Sequence, residues 1–83
     1  MRILYFAWLR ARTGVAEEVV EPPPEVADVA GLLDWLATRS AGHKAALADR
    51  RVVRVAVNQD YPRPDAKVGP GDEIAIFPPV TGG

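Results

Sequence analysis

The sequence predicts a small α+β domain in which a mixed sheet of four or five strands carries one main helix across one face. Two observations support this class: one segment has a helical apolar stripe, and several short segments read as strands. Their order is strand, strand, helix, strand, a short edge strand and strand. An amphipathic helix and a sheet must bury their apolar faces against each other. We therefore expect a single domain spanning residues 1–83.

The first two strands are predicted to form a hairpin. The run ILYFAWL at residues 3–9 is aromatic and branched, with no polar interruption, which is typical of a central strand covered on both faces. The triplet Arg12-Thr13-Gly14 predicts a turn into a second, more polar strand at residues 15–21. Three prolines at 22–24 end that strand because proline cannot donate to a sheet ladder.

The main helix is predicted to begin after Asp28, a suitable N-cap residue. Its apolar residues fall at i, i+3, i+4 and i+7, so they share one face; they are Val29, Leu32, Leu33 and Leu36. We expect the helix to end near Arg39 or Ser40, with Gly42 as its C-terminal stop. One short further turn is predicted at residues 43–48.

The second half of the chain predicts two strands and a loop. Residues 52–57 alternate with period two, which places Val53, Val55 and Val57 on one side. Residues 58–64 are interpreted as a loop or a broken edge strand, since their prolines exclude a central one. VGPGD at residues 68–72 predicts a turn, and residues 73–77 are the last strand.

Composition excludes several classes of function. The chain has no cysteine and one histidine, which argues against a zinc site, and we expect no bound metal or cofactor. A formal net charge of −1 makes nucleic acid an improbable partner. The opening apolar run is too short to span a membrane and is followed by Arg10. The expected location is the cytoplasm, with no membrane partner.

Side-chain catalysis has no candidate in the sequence. VGPGDE lacks the ending of a phosphate-binding loop and leads into a strand, so a tight turn is the better interpretation. Glu17 and Glu18 are adjacent in a predicted strand and therefore point to opposite faces. Ser40 has no base at a recognisable spacing, and His43 is predicted to face solvent without a role.

Charge clusters most densely at Arg50, Arg51 and Arg54. The first interpretation is a solvated strand entrance. The second is a patch that attracts an acidic partner by long-range electrostatics.

One apolar sheet face is left without a covering helix. If Ile74 and Ile76 face the core, then Phe77 faces away, and Leu4, Phe6 and Trp8 raise the same problem in the first strand. The pattern of alternation does not decide which side of the first strand is inward. An aromatic sheet face favours an interaction surface over an ordinary exposed side chain.

The segment PPVTGG that follows Phe77 is predicted to be an extended arm. Pro78 and Pro79 fix their φ angles and cannot continue the ladder, and Val80 and Thr81 follow them. Glycines at 82 and 83 lack Cβ atoms, so backbone and a terminal carboxylate can enter a channel that excludes side chains. The alternative is a frayed end.

VAVN at residues 55–58 together with GDEIAIFPPVTGG at 71–83 closely resembles the small subunits of molybdopterin synthase, the MoaD-type sulfur carriers. The resemblance extends more loosely over the whole chain. It implies the ubiquitin-like β-grasp fold, which agrees with the element order derived above. It also implies a heterotetrameric synthase in which the pocket lies on the large subunit.

The resemblance implies the following chemistry. A carboxylate resists nucleophilic attack, so an adenylyltransferase similar to ubiquitin-activating enzymes uses ATP to adenylate Gly83. A persulfide donor then supplies sulfur, leaving a thiocarboxylate that is used by the large subunit to build the molybdopterin dithiolene. The residues matched to the carrier end are Gly82 and Gly83, those matched to the arm are Pro78, Pro79, Val80 and Thr81, and those matched to the partner contact are Phe77 and Tyr61. Residues 60–65 depart from the family pattern at two prolines, so the match at Tyr61 is the weaker one.

Three alternatives remain open. A thiamin-pathway sulfur carrier shares the fold and the activation chemistry, although PPVTGG favours the molybdopterin branch. A ubiquitin-like modifier would instead join Gly83 to a lysine of a target protein. A non-covalent β-grasp binding module would have no use for the last glycine.

Overall fold

The computed structural model of the chain describes residues 1–79. Its elements in chain order are β1 (Arg2–Tyr5), α1 (Trp8–Thr13), β2 (Glu17–Val19), α2 (Val29–Ala37), α3 (Ala41–Ala46), a 3-10 turn (Arg50–Val52), β3 (Arg54–Val57) and β4 (Glu73–Phe77). The sheet order is β2-β1-β4-β3, with β1 and β4 parallel and the outer pairs antiparallel. The predicted mixed sheet is confirmed, with four strands. The single domain over 1–83, with 78–83 as an arm, extends past the described residues and stays a prediction.

The core lies between the two central strands and α2. Ile3 and Tyr5 of β1 and Ile74 and Ile76 of β4 are buried, which settles the inward side of the first strand. The predicted helical stripe is buried too; it consists of Val29, Leu32, Leu33 and Leu36. Asp28 caps the helix, its Oδ1 accepting a hydrogen bond from the Gly31 amide at 2.7 Å.

The first strand is shorter than predicted, and a helix replaces the predicted hairpin turn. β1 ends at Tyr5, and Ala7 at a φ of 56° turns the chain into α1. Leu9 is fully buried on the side of that helix that faces the hydrophobic core. The continuous apolar run is therefore divided between strand β1 and helix α1. A short run of aromatic and branched residues can be buried in a strand or in a helix, so periodicity alone does not distinguish them. The residue predicted to close the turn, Gly14, instead ends α1 at a φ of 83°.

The predicted role of Gly42 is wrong. α2 ends at Ala37, and Gly42 lies inside the next helix, α3. A Cβ atom at this position would lie only 2.2 Å from the carbonyl oxygen of Arg12, at the end of α1. Glycine is needed here because two helices meet at their backbones, which local sequence does not reveal.

The prediction that His43 faces solvent is also wrong. Its side chain is buried, with Nε2 lying 2.7 Å from Glu18 Oε2 and Nδ1 lying 2.7 Å from Ser40 Oγ. The ring also contacts Tyr5 edge-on, at a centroid distance of 5.6 Å. The Tyr5 hydroxyl donates to the same Glu18 oxygen at 2.7 Å. These contacts connect the short edge strand β2 to α3 and the central strand β1.

β3 begins later than predicted, at Arg54, because residues 50–52 form a 3-10 turn. Its register with β4 places Val55 opposite Ile76 and Arg54 opposite Phe77. The predicted alternation is therefore confirmed: Val55 shares the face of the buried β4 residue, and Arg54 lies on the outer face.

The Glu18 contacts predict a loss of stability in acid. Burial raises the pKa of this carboxyl, but hydrogen bonds from His43 and Tyr5 outweigh it, so the net pKa lies below the ordinary value of 4.5. A lowered folded-state pKa contributes stability above the unfolded pKa, and that contribution is lost as pH falls through the folded value. We expect the free energy of unfolding of wild type to exceed that of Glu18→Gln by about 1 kcal/mol at pH 7.

The measurement is urea unfolding of both proteins from pH 7 down to pH 2. The difference should shrink progressively as pH falls below about 4.5, because wild-type Glu18 then takes up a proton and Gln does not. A difference that stays constant down to the lowest pH would contradict this account of the carboxylate.

Candidate functional site

The outer face of the sheet carries aromatic side chains at the end where β4 finishes. Phe77 is the last residue of β4 and is partly buried, and Phe6 follows directly after β1 and is 48% exposed. The Phe6 amide donates to the carbonyl of Ile76 at 3.0 Å, which holds the two segments side by side. We call this end of the sheet the arm end, because Pro78 and Pro79 leave from it.

Phe77 packs against Tyr61. Their ring centroids are 6.1 Å apart with an interplanar angle of 69°, an edge-to-face contact. Tyr61 is 79% exposed, so this contact covers only a small part of its ring. The structure therefore brings together the two residues matched to the partner contact, and most of Tyr61 remains accessible.

A tight turn positions Tyr61. Asn58 and Gln59 have φ angles of 50° and 73°, as in a two-residue hairpin turn. Val57 and Asp60 exchange backbone hydrogen bonds of 2.8 and 3.0 Å across it. The Asn58 side chain also fixes the turn to the start of β4, donating to Asp72 Oδ1 at 2.9 Å and accepting from the Glu73 amide at 3.0 Å.

The predicted arm is described only at its root. Pro78 and Pro79 are partly buried beside Phe77. The remaining predicted arm and carrier residues lie outside the described part of the chain; they are Val80, Thr81, Gly82 and Gly83. The sequence did not assign Phe6 to the site, although it placed this residue among the apolar residues of the first strand.

A cluster of polar side chains surrounds Glu18, and it contains His43, the one polar residue classed as buried among residues 1–79. Burial and the hydrogen bond to Glu18 raise the pKa of the Tyr5 hydroxyl far above its ordinary value, so it stays a neutral donor. Glu18 and Glu17 point to opposite faces of β2, as predicted: Glu17 lies 2.7 Å from the Arg2 guanidinium on the outer face. This cluster lies on the core side of the sheet, opposite the face that carries Phe77. It also places the His43 ring beside the Ser40 hydroxyl, so the prediction that Ser40 has no neighbouring base is wrong.

Two further observations concern metal binding and membrane spans within the described residues. Among residues 1–79, no three histidine, cysteine or acidic side chains are grouped closely enough to hold a metal ion. In the same part of the chain, no helix has the length and apolar character needed to cross a bilayer.

Comparison with known proteins identifies the family. The model of the ThiS family matches residues 3–83, which is nearly the entire sequence. The chain belongs to the ThiS family. Two full-length relatives are called molybdopterin synthase sulfur carrier subunit. The one from Chlamydomonas reinhardtii is 39% identical, over 100% of this chain and 98% of the relative, and the one from Escherichia coli is 35% identical, over 100% and 99%. The predicted resemblance to this group of carriers is confirmed.

Solved structures agree with this assignment. A putative molybdopterin converting factor subunit 1 from Pyrococcus furiosus is 33% identical, with a TM-score of 0.80 over 95% of each chain. SAMP1 of Haloferax volcanii, a small archaeal modifier protein, is 29% identical, with a TM-score of 0.75 over 100% of this chain and 98% of its own. A chain of the BexX/CysO complex of Amycolatopsis orientalis is 31% identical, with a TM-score of 0.71 over 99% and 98%. The ubiquitin-like β-grasp fold is confirmed.

Proposed function

We propose that this ThiS-family chain is the sulfur carrier subunit of a molybdopterin synthase, with the main-chain carboxyl of Gly83 as the group that carries sulfur. The observation that carries the proposal is full-length similarity to sulfur carrier subunits at 35–39% identity. The aromatic surface at the arm end adds support, because it lies where a partner must bind to receive the arm.

The proposed chemistry begins with activation. A carboxylate oxygen of Gly83 attacks the α-phosphorus of ATP on an adenylyltransferase partner, and pyrophosphate leaves. The terminal sulfur of a persulfide donor then attacks the acyl carbon and displaces AMP. A thiol cleaves the remaining sulfur–sulfur bond and leaves the thiocarboxylate. In this scheme ATP binds to the partner and the carrier chain holds no cofactor.

The second stage takes place on the large subunit. The thiocarboxylate enters its pocket, and its sulfur forms a bond to a carbon of cyclic pyranopterin monophosphate. Water then cleaves the acyl–sulfur bond and restores the Gly83 carboxylate. Two such transfers supply the two sulfurs of the molybdopterin dithiolene. The two final glycines suit this task because an arm without Cβ atoms can enter both a nucleotide-binding site and a pterin site. The folded part of the chain contributes binding energy and orientation.

The test of the proposal is the intact mass of the protein after incubation with the activating enzyme, ATP and a persulfide donor. Exchange of oxygen for sulfur at the carboxyl is expected to raise the mass, and omission of ATP should prevent the change. Fragmentation should place the added mass on the final residue. An unchanged mass with an activating enzyme that is active on another carrier would overturn the proposal.

A ubiquitin-like modifier is the second candidate, because SAMP1 resembles this chain in both sequence and fold. In that role the activated Gly83 would form an amide with a lysine of a target protein. Affinity purification of a tagged chain from cells, followed by digestion and mass spectrometry, would reveal branched peptides on target lysines. Their absence alongside a detectable thiocarboxylate favours the carrier role alone.

Phe77→Ala is expected to weaken binding to the large subunit by about 1–4 kcal/mol, since a central aromatic anchor contributes that much to an interface. The measurement is the Kd by isothermal titration calorimetry. The unfolding curve of the variant must also be recorded, because Phe77 is partly buried.

Val19→Ala is a matched control for Phe77→Ala. Val19 is 77% exposed and lies on the outer face at the far end of β2, so its truncation should leave the Kd within about twofold. Equal Kd values for Phe77→Ala and wild type, with both proteins folded, would remove Phe77 from the interface.

A further inference from the structure

The arginines of this chain divide into two groups. Five form ion pairs with carboxylates of the same chain; they are Arg2, Arg39, Arg50, Arg51 and Arg63. Three have no carboxylate partner among residues 1–79; they are Arg10, Arg12 and Arg54. Lys44 and Lys67 also have no carboxylate partner within residues 1–79, so the side chains whose positive charge is not paired there are three arginines and two lysines.

Arg54 lies beside the root of the arm. It is the β3 residue directly opposite Phe77, so the two side chains are neighbours on the outer face. Its Nη1 donates only to backbone carbonyls, those of Arg51 at 3.2 Å and Val53 at 3.3 Å. The side chain is exposed, and a guanidinium with five donors has further donors to offer.

Arg10 belongs to α1, which follows β1, the strand on the other side of β4 from β3. α1 begins two residues after Phe6, whose amide is bonded to Ile76 at the end of β4. Arg10 is exposed on this helix. Arg12, the third member of the group, is already engaged in the fold, with its Cζ 5.5 Å from the centroid of the Trp8 ring.

Several acidic residues lie at the opposite end of the sheet. Arg2 at the start of β1 is shared between Glu17 at 2.7 Å and Glu73 at 3.3 Å. Glu21 is exposed just beyond β2, and its strand neighbour Val19 lies opposite Arg2. Several carboxylates thus lie near the start of β1 and β4, together with the Met1 ammonium group, whereas Arg54 lies at the other end of the sheet beside Phe77.

We propose that Arg54 and Arg10 form a charged rim around the aromatic surface at the arm end, and that this rim binds carboxylates on the large subunit that receives the arm. An apolar centre with a polar rim is the usual anatomy of a protein interface. Complementary charge on the rim orients the partners and accelerates their association. This inference rests on the proposed function and adds the chemistry of the partner's surface.

Charge decides between this occupant and a second copy of the chain. Two copies meeting arm end to arm end would bring like charges together, which costs free energy. The acidic surface of a different protein has no such penalty. The large subunit is therefore expected to carry aspartates or glutamates around the entrance to its pocket.

The test is the association rate constant with the large subunit, measured by stopped flow at several salt concentrations. Arg54→Glu and Arg10→Glu are each expected to lower this constant by roughly tenfold at low salt and to reduce its dependence on salt. Arg54→Lys should stay within about threefold of wild type because it keeps the charge. Lys67→Glu is the matched control and should stay within about twofold. It makes an equal change of charge at an exposed residue near the start of β4, because the nearby Gly69 amide donates to Asp72 Oδ2 at 2.8 Å.

Each outcome has a distinct meaning. If wild type does not bind the large subunit, the proposed function fails. If wild type binds and Arg54→Glu behaves like Lys67→Glu, the proposed function stands and the charged rim is wrong. If Arg54→Glu and Arg10→Glu accelerate association, the partner's surface is basic and the inference is overturned. Sedimentation of wild type alone as a dimer that Arg54→Glu strengthens would assign this end to self-association instead.

Discussion

Removal of Gly83 is expected to abolish sulfur transfer while the folded part of the chain stays intact. The shortened arm would present its carboxyl about 3.3 Å short of its proper position. A displacement of about 1 Å already costs roughly a hundredfold in rate, so transfer should fall by at least that factor. Within residues 1–79 the buried core residues lie between Ile3 and Ile76, so the unfolding midpoint is expected to be unchanged.

The measurement is single-turnover sulfur transfer with the activating enzyme, the persulfide donor and the large subunit present. Gly82→Ala keeps the length of the arm and adds one methyl group, so it tests the effect of arm width separately from that of arm length. Its rate of sulfur transfer is expected to fall because the new Cβ enters the narrow part of the channel. Val19→Ala is the control for nonspecific effects of substitution and purification, and its rate of sulfur transfer should equal that of wild type. If the chain without Gly83 transfers sulfur as fast as wild type, the carrier role of Gly83 is contradicted. That result would favour a non-covalent binding module that does not use its last residue.

Gly42→Ala is expected to destabilise the fold by about 1–3 kcal/mol, the usual cost of overpacking. The new Cβ would lie 2.2 Å from the carbonyl oxygen of Arg12, and a backbone atom cannot rotate away as a side chain can. Alanine is intrinsically better than glycine in a helix by about 1 kcal/mol. The clash outweighs this gain because relieving it requires α1 and α3 to separate, which exposes Leu9 and Ala46.

Urea or thermal unfolding of Gly42→Ala measures the effect. Gly71→Ala is the control, because a Cβ there meets no atom within 4 Å and the turn has an ordinary φ. It should be neutral or slightly stabilising, since alanine restricts the unfolded chain. A Gly42→Ala protein at least as stable as wild type would show that the two helices do not meet at their backbones in solution.

The sequence predicted which residues belong to the candidate site better than it predicted how they are arranged in space. Phe77 was identified because it alternates with Ile74 and Ile76 in one strand, and alternation is a local property. The position of Arg54 beside Phe77 could not be predicted from the sequence. It depends on which β3 residue lies opposite Phe77, and this register is set by the pairing of two strands that are distant in sequence.

The sequence by itself determined α2 with its Asp28 cap, the last strand, and the alternation of β3, since all three depend on residues a few positions apart. Only the tertiary structure decided that Trp8–Thr13 is a helix and that His43 is buried. His43 and Glu18 are 25 positions apart, and Gly42 meets Arg12 across a comparable separation. A pattern of neighbouring residues carries no information on such contacts, because they exist only after the chain has folded back on itself.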